Sequence, residues 1–142
     1  WSLCRRARCW SIAWADAEEI DSLNILHATF LAMRRALLGL PVTPQLVQVD
    51  GNRVPVLGDL CPRCEAIVEG DARVAAISAA SILAKTARDA LMRTLDAHYP
   101  GFQLGEHKGY ATGQHLQALA AQGPSPVHRA TFAPVRLSSR NS

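Results

Sequence analysis

Two aspartates close short apolar runs in this chain. Asp50 ends Leu46-Val47-Gln48-Val49-Asp50 and is followed by Gly51-Asn52-Arg53, while Asp71 ends Ala66-Ile67-Val68-Glu69-Gly70-Asp71. Runs of this kind read as β-strands, because Val and Ile suit a pleated, half-buried surface. Burial of the runs delivers each carboxylate to the edge of a sheet. Two carboxylates brought together there repel unless a cation lies between them, and hard, oxygen-seeking Mg²⁺ or Mn²⁺ is the natural candidate. Metal-dependent phosphate chemistry is therefore the leading expectation, although two carboxylates are few for a site that holds two ions.

The second group of chemically capable residues is Cys4, Cys9, Cys61 and Cys64. Cys61-Pro62-Arg63-Cys64 is a CxxC, which admits zinc or redox chemistry. Its partners would be the looser pair Cys4 and Cys9. Free thiols in a reducing cytoplasm are the expectation, with a zinc-stapled interaction module as an alternative.

At 142 residues, 49% hydrophobic and 19% charged, the chain has the size and composition of one globular domain. No apolar run approaches the roughly 20 residues of a membrane span, so no membrane partner is expected. The chain starts at Trp1 rather than Met, and Arg5, Arg6 and Arg8 precede no apolar signal-type segment. The expectation is a fragment whose upstream part is absent. The net charge of +3 permits a polyanionic partner. It is uneven: after Gly105 stand Lys108, Arg129, Arg136, Arg140 and three His against one acid, Glu106. A basic tail beside an acidic mouth suits a nucleic-acid enzyme, and a solvated basic face is the plainer reading.

Several elements must position these residues. Cys9 to Ala15 alternate loosely and predict a strand. Asp16 followed by Glu19 forms a capping-box pattern, and the spacing of Ile20, Leu23, His27, Phe30, Leu31, Arg34 and Leu37 predicts a helix from about 17 to 38. Gly39 suits the residue after its end. The segment 52–62, with two prolines and Gly58-Asp59, predicts a hairpin-like excursion rather than a helical crossover. A second helix is predicted over 74–97. Its early small residues, Ala75, Ala76, Ser78, Ala79, Ala80, Ser81 and Ala84, suit close packing on a neighbour. Residues 105–109 predict a loop and 112–122 a short helix. The segment 132–135 is expected to dock, and the chain beyond it to fray.

The order of these motifs resembles the bacterial ribonuclease HII family. The matching stretches are Glu18-Glu19-Ile20-Asp21, Leu23-Asn24-Ile25-Leu26-His27-Ala28-Thr29, Val49-Asp50-Gly51-Asn52-Arg53, Gly70-Asp71, Ile77 to Lys85, Arg88-Asp89, His107-Lys108-Gly109-Tyr110 and Phe132-Ala133-Pro134-Val135. The resemblance covers residues 10–135, leaving 1–9 poorly matched and 136–142 as a frayed tail of one partial domain. It implies an α/β fold of ribonuclease H type, a mixed sheet flanked by helices with the N-terminal strands missing. It implies hydrolysis of RNA in RNA–DNA hybrids and at single ribonucleotides embedded in duplex DNA, leaving a 5′-phosphate and a 3′-hydroxyl. Mg²⁺ or Mn²⁺ would be held by Asp50 and Asp71. Tyr110 resembles the tyrosine whose ring packs on the sugar beside the ribonucleotide. His107, Lys108 and Arg53 would contact nucleic acid, and the resemblance implies a cytoplasmic monomer. Ser78 and Ser81 are expected in helix–sheet packing, with His27 and Asn24 as satisfied core polar groups.

The chain departs from that pattern in one major way. The family's adjacent Asp-Glu and its following Gly-Arg-Gly have no counterpart: Asp16-Ala17-Glu18-Glu19 opens a helix, and Asp89 and Asp96 lie on another. Half of four carboxylates remains, so the chain alone is expected to be inactive or nearly so and less stable than an intact homologue. A non-catalytic nucleic-acid-binding remnant is the alternative. Gln103 replaces a family glycine, Ala111 stands where proline often follows the tyrosine, and Ala133 replaces the glycine usual before Pro134.

Overall fold

The computed structural model of the chain describes residues 2–138. Its elements are α1 (Ser2–Arg6), α2 (Ala17–Leu23), α3 (Ile25–Leu38), β1 (Val47–Asp50), a 3₁₀ turn (Gly58–Leu60), β2 (Cys64–Ile67), α4 (Gly70–Arg73), α5 (Ala75–His98), α6 (Leu104–His107), α7 (Gly113–Gln122) and α8 (Ala133–Ser138). They form two compact units. One comprises residues 2–15 and Ile25–Lys85, the other Asp16–Asn24 and residues 86–138.

In the first unit, β1 and β2 pair in parallel, with Val47 opposite Cys64 and Asp50 opposite Ile67. The connection is therefore a crossover and not the expected hairpin. Residues 51–63 supply roughly the dozen residues that a parallel return requires. Buried Pro55 and Leu57 hold this connection down, and the Arg34 guanidinium of α3 donates to the Val56 carbonyl. Ala28, Val49, Leu57, Cys61 and Ile77 are the buried apolar side chains of this unit. Cys9 to Ala15 do not form the predicted strand, since a ladder needs a neighbour and none pairs with them among the described residues. The Trp14 carbonyl instead accepts from Arg35 Nη1 at 3.1 Å. Gly39 follows α3 for reasons of space: a Cβ there would strike the Ser11 hydroxyl.

The second unit opens with the capping box read from the sequence. Asp16 Oδ1 accepts from the Glu19 amide at 2.8 Å, and Glu19 Oε2 accepts from the Asp16 amide at 3.0 Å. The predicted single helix over 17–38 is broken at Asn24, whose φ of 68° and ψ of 165° cannot continue a helix. The helical period runs on across the break, so the pattern alone does not reveal it. His27 and Asn24 are exposed rather than buried in a core, and the His27 ring meets Phe30 edge-on at 6.3 Å. The core of this unit is Phe102, Leu104, Leu119 and Val135, with Met92, Leu95, Tyr99, Ala118, Val127 and Phe132 packed around it. Val135 thus docks as expected, on a helix that the sequence pattern did not indicate. Of the tail expected to fray, residues 136–138 belong to α8 and residues 139–142 lie outside the described residues.

Helix α5 matches the predicted 74–97 span closely. Its small residues do not serve close packing among the described residues: Ala75, Ala76, Ala80, Ser81 and Ala84 are exposed, and Ser78 is half-buried.

Candidate active site

Asp50 is the last residue of β1, and its side chain is exposed while that of Val49 is buried, as strand alternation dictates. Asp71 is not at a strand end. β2 stops at Ile67, Glu69 takes left-handed backbone (φ 56°), and Gly70 and Asp71 open the single turn of α4. The link between the two carboxylates is Gly70. Its amide donates to Asp50 Oδ1 at 2.8 Å, so the residue that precedes Asp71 is bound to Asp50. Glycine is required there by close approach. A Cβ at position 70 would lie 3.4 Å from Asp50 Cα and Oδ1 and 2.7 Å from Cδ1 of buried Ile77.

The donor set fits a hard divalent ion in kind, being anionic, oxygen-based and exposed to solvent. In number it provides two carboxylates. No group of three or more His, Cys, Asp or Glu able to hold a metal occurs among the described residues. Arg53, also exposed, follows in the same unit.

The remaining site residues predicted from sequence belong to the second unit. Residues 105–109 are not a plain loop. Gln103 (φ 57°) and Lys108 (φ 54°) take left-handed backbone at either end of α6, and Gly109 (φ 84°) follows. Tyr110 comes next, its side chain 70% exposed and available to a ligand. His107 is not turned outward to a phosphate. Its ring is buried, with Nε2 2.7 Å from the Phe102 carbonyl and Nδ1 accepting from the Gly109 amide at 3.1 Å. Lys108 is half-buried, and its ammonium donates to the Gly105 carbonyl. Arg88 of α5 donates to the Lys108 carbonyl at 2.9 Å, so it braces this turn.

Three residues here escaped sequence reasoning. His115 of α7 is buried, with Nδ1 2.8 Å from the Tyr110 carbonyl and Nε2 3.0 Å from Nε2 of His128. Burial pushes both of these histidines below the ordinary imidazole value. Asp21 of α2 accepts from the amides of Ala130 and Thr131. The partners lie 13 or more positions away along the chain, or depend on a turn not visible in the pattern, so no local signal marks these residues.

The cysteines do not form an activated pair. Cys61 is buried and its Sγ lies 3.1 Å from the Arg63 carbonyl. Burial, and then the neighbouring Cys61 thiol, pushes the Cys64 thiol above its ordinary value, away from the thiolate that zinc or redox chemistry needs.

Comparison with known proteins decides the family. The ribonuclease HII family model matches residues 5–135. The chain belongs to the ribonuclease HII family. It is 61% identical over 132 residues to a ribonuclease HII of Chromobacterium violaceum, covering 93% of this chain and 66% of the relative. It is 60% identical over 131 residues to a ribonuclease HII of Laribacter hongkongensis, covering 92% of this chain and again 66% of the relative. The crystal structure of ribonuclease H2 from Pyrococcus horikoshii OT3 superposes with a TM-score of 0.70 at 22% identity, over 89% of this chain and 66% of that one. The α/β fold of ribonuclease H type is thereby established, with a small parallel sheet among the described residues. No helix of the described residues is long and apolar enough to cross a membrane.

Proposed function

We propose that this chain acts in metal-dependent hydrolysis of the RNA strand of RNA–DNA hybrids and of single ribonucleotides in duplex DNA. The products are a 5′-phosphate and a 3′-hydroxyl. The observation that supports this is the hydrogen bond of the Gly70 amide, one residue before Asp71, to the Asp50 carboxylate in a ribonuclease HII chain. These two carboxylates would hold Mg²⁺ or Mn²⁺, which when bound activates a water and stabilises the leaving oxygen. That hydrogen bond fixes the Asp50 carboxylate, so a cation meets a prepared oxygen rather than a freely rotating one. Tyr110 packs its exposed ring on the sugar beside the ribonucleotide, whose 2′-hydroxyl separates RNA from DNA. Arg53 and Lys108 contact phosphates and supply affinity without sequence choice. His107 is left out of that set because its ring is built into the turn.

Two carboxylates cannot neutralise two divalent ions, so the chain by itself is expected to cleave slowly or not at all. A nucleic-acid-binding role without cleavage is the second reading, favoured by that same count. The deciding experiment is cleavage of a DNA duplex carrying one ribonucleotide, with Mg²⁺ or Mn²⁺. It compares this chain with a version carrying an upstream strand segment that supplies an adjacent Asp-Glu and a Gly-Arg-Gly. A cut on the 5′ side of the ribonucleotide only in the supplemented protein is expected. It should fall at least ~100-fold with Asp50→Asn or Asp71→Asn, since even outer-shell changes around a metal cost about 10–100-fold. Binding without cleavage by the folded, supplemented protein would establish the second reading.

A further inference from the structure

Behind Tyr110 lies a chain of three histidines whose proton positions the hydrogen bonds determine. His107 Nδ1 accepts from the Gly109 amide, so its proton is on Nε2, facing the Phe102 carbonyl at 2.7 Å. His128 Nδ1 accepts from the Ser125 amide at 3.1 Å and lies 2.8 Å from the Ser125 hydroxyl, so its proton is on Nε2. That proton points at His115 Nε2, 3.0 Å away, which must accept it. The His115 proton is therefore on Nδ1, where it donates to the Tyr110 carbonyl at 2.8 Å. One assignment satisfies every contact, with all three rings neutral.

The rings are also stacked in place. His107 and His115 lie 4.2 Å apart at 16°, and Phe102 meets His128 at 4.8 Å. The row touches the 107–110 turn at two points: His107 holds the Gly109 amide and His115 holds the Tyr110 carbonyl. Residue 110 is thus fixed at its backbone while its ring stays exposed.

We propose that His115, oriented by His128 and Ser125, is a positioning residue that sets Tyr110 for discrimination of a ribonucleotide from a deoxyribonucleotide. This rests on the reading of Tyr110 given above. The two side-chain amides separate the ring's functions. Asn at 115 places an N–H near Nδ1 and keeps the bond to Tyr110. Gln reaches only the Nε2 position, which meets His128 and abandons Tyr110.

The experiment uses the full chain and measures its affinity for a DNA duplex with one ribonucleotide against the same duplex without it. Alongside, NMR at pH 7.5 reports the imidazole tautomers and the Gly109 and Tyr110 backbone signals. The expected result is that His115→Gln lowers the discrimination ratio to that of Tyr110→Ala, while His115→Asn retains most of it. Nδ1–H at His115 and Nε2–H at His107 and His128 are expected in the unsubstituted chain. A folded His115→Gln variant that discriminates as well as the original overturns the proposal. Should that variant fail to fold, His128→Asn takes its place. It removes the Nε2 donor that sets the His115 tautomer, along with the ring that meets Phe102, and an unchanged ratio there overturns the proposal equally. If the unsubstituted chain shows no discrimination, the functional reading of Tyr110 fails, and the NMR signals decide the positioning role separately. Displacement of the Tyr110 signals in His115→Gln but not in His115→Asn then upholds the anchoring, and unmoved signals overturn it.

Discussion

The carboxylate of Asp21 accepts from the amides of Ala130 at 2.6 Å and Thr131 at 2.9 Å, and from the Thr131 hydroxyl. Burial alone would raise its pKa. The hydrogen bonds from Thr131 and Ala130, with the charge of Arg129, outweigh that and hold it below the ordinary carboxylate value of 3.8. A carboxyl depressed in the fold adds stability that is complete above its unfolded pKa and is lost as pH falls through the folded value. Asp21→Asn keeps one acceptor oxygen and loses the charge. It is expected to cost about 1 kcal/mol at pH 7 in urea unfolding, with solvent screening holding the figure down. The difference between the two proteins should close below about pH 4, as Asp21 protonates. A gap that persisted after Asp21 had protonated in the folded protein would assign the loss to packing instead. Asp50 was legible as a strand end because it closes its own apolar run, whereas Asp71 opens a helical turn beyond β2. Asp21 was not legible, because what it holds lies more than a hundred positions further along the chain.

Capping chemistry and burial made some elements readable. Asp16 with Glu19 marked the start of α2, and the predicted helix over 112–122 is α7, which the Thr112 hydroxyl caps by accepting from the His115 amide at 3.3 Å. Elements set by backbone sign were not readable. Asn24, Glu69, Gln103 and Lys108 all take positive φ, and each sits where the sequence pattern continues a helix, a strand or a loop. These four residues break the first long helix, end β2 short of Asp71 and bound α6. Position 103 converts this into a measurement. Gln103 sits at φ 57°, ψ 37°, a left-handed conformation that costs an L residue roughly 1–2 kcal/mol and glycine almost nothing. Glycine gives part of this back through its freer unfolded chain. Gln103→Gly is therefore expected to stabilise the chain by up to about 1 kcal/mol, read as a raised urea midpoint with an unchanged slope. A lower midpoint would mean that the Gln103 side chain contributes more than its backbone strain costs. Gln103 is one of the departures from the family glycine pattern, so the test also asks whether that departure is a burden on the turn that carries Tyr110.

At the scale of the molecule, the net charge of +3 and the two kinds of contact proposed for nucleic acid make separable demands. Arg53 and Lys108 would act through phosphates, and each neutralised phosphate releases counterions from the duplex. With two such contacts, raising salt from about 50 to about 200 mM should weaken binding by roughly 12-fold. Lys108→Ala should reduce the slope of log affinity against log salt by about 0.9. Tyr110 would act differently, through an uncharged ring on a sugar, and that contact has no counterion term. The ratio of affinities for the ribonucleotide-containing and all-DNA duplexes should therefore stay nearly constant across the same salt range, even as both affinities fall. Fluorescence anisotropy titrations of the two duplexes measure this directly. A ratio that collapsed with salt would place discrimination on the charged residues, and the exposed ring of Tyr110 would then need another role. A constant ratio that Tyr110→Ala abolishes, with the salt slope unchanged, would divide the work as proposed: basic side chains for affinity, and the anchored tyrosine for the choice between ribose and deoxyribose.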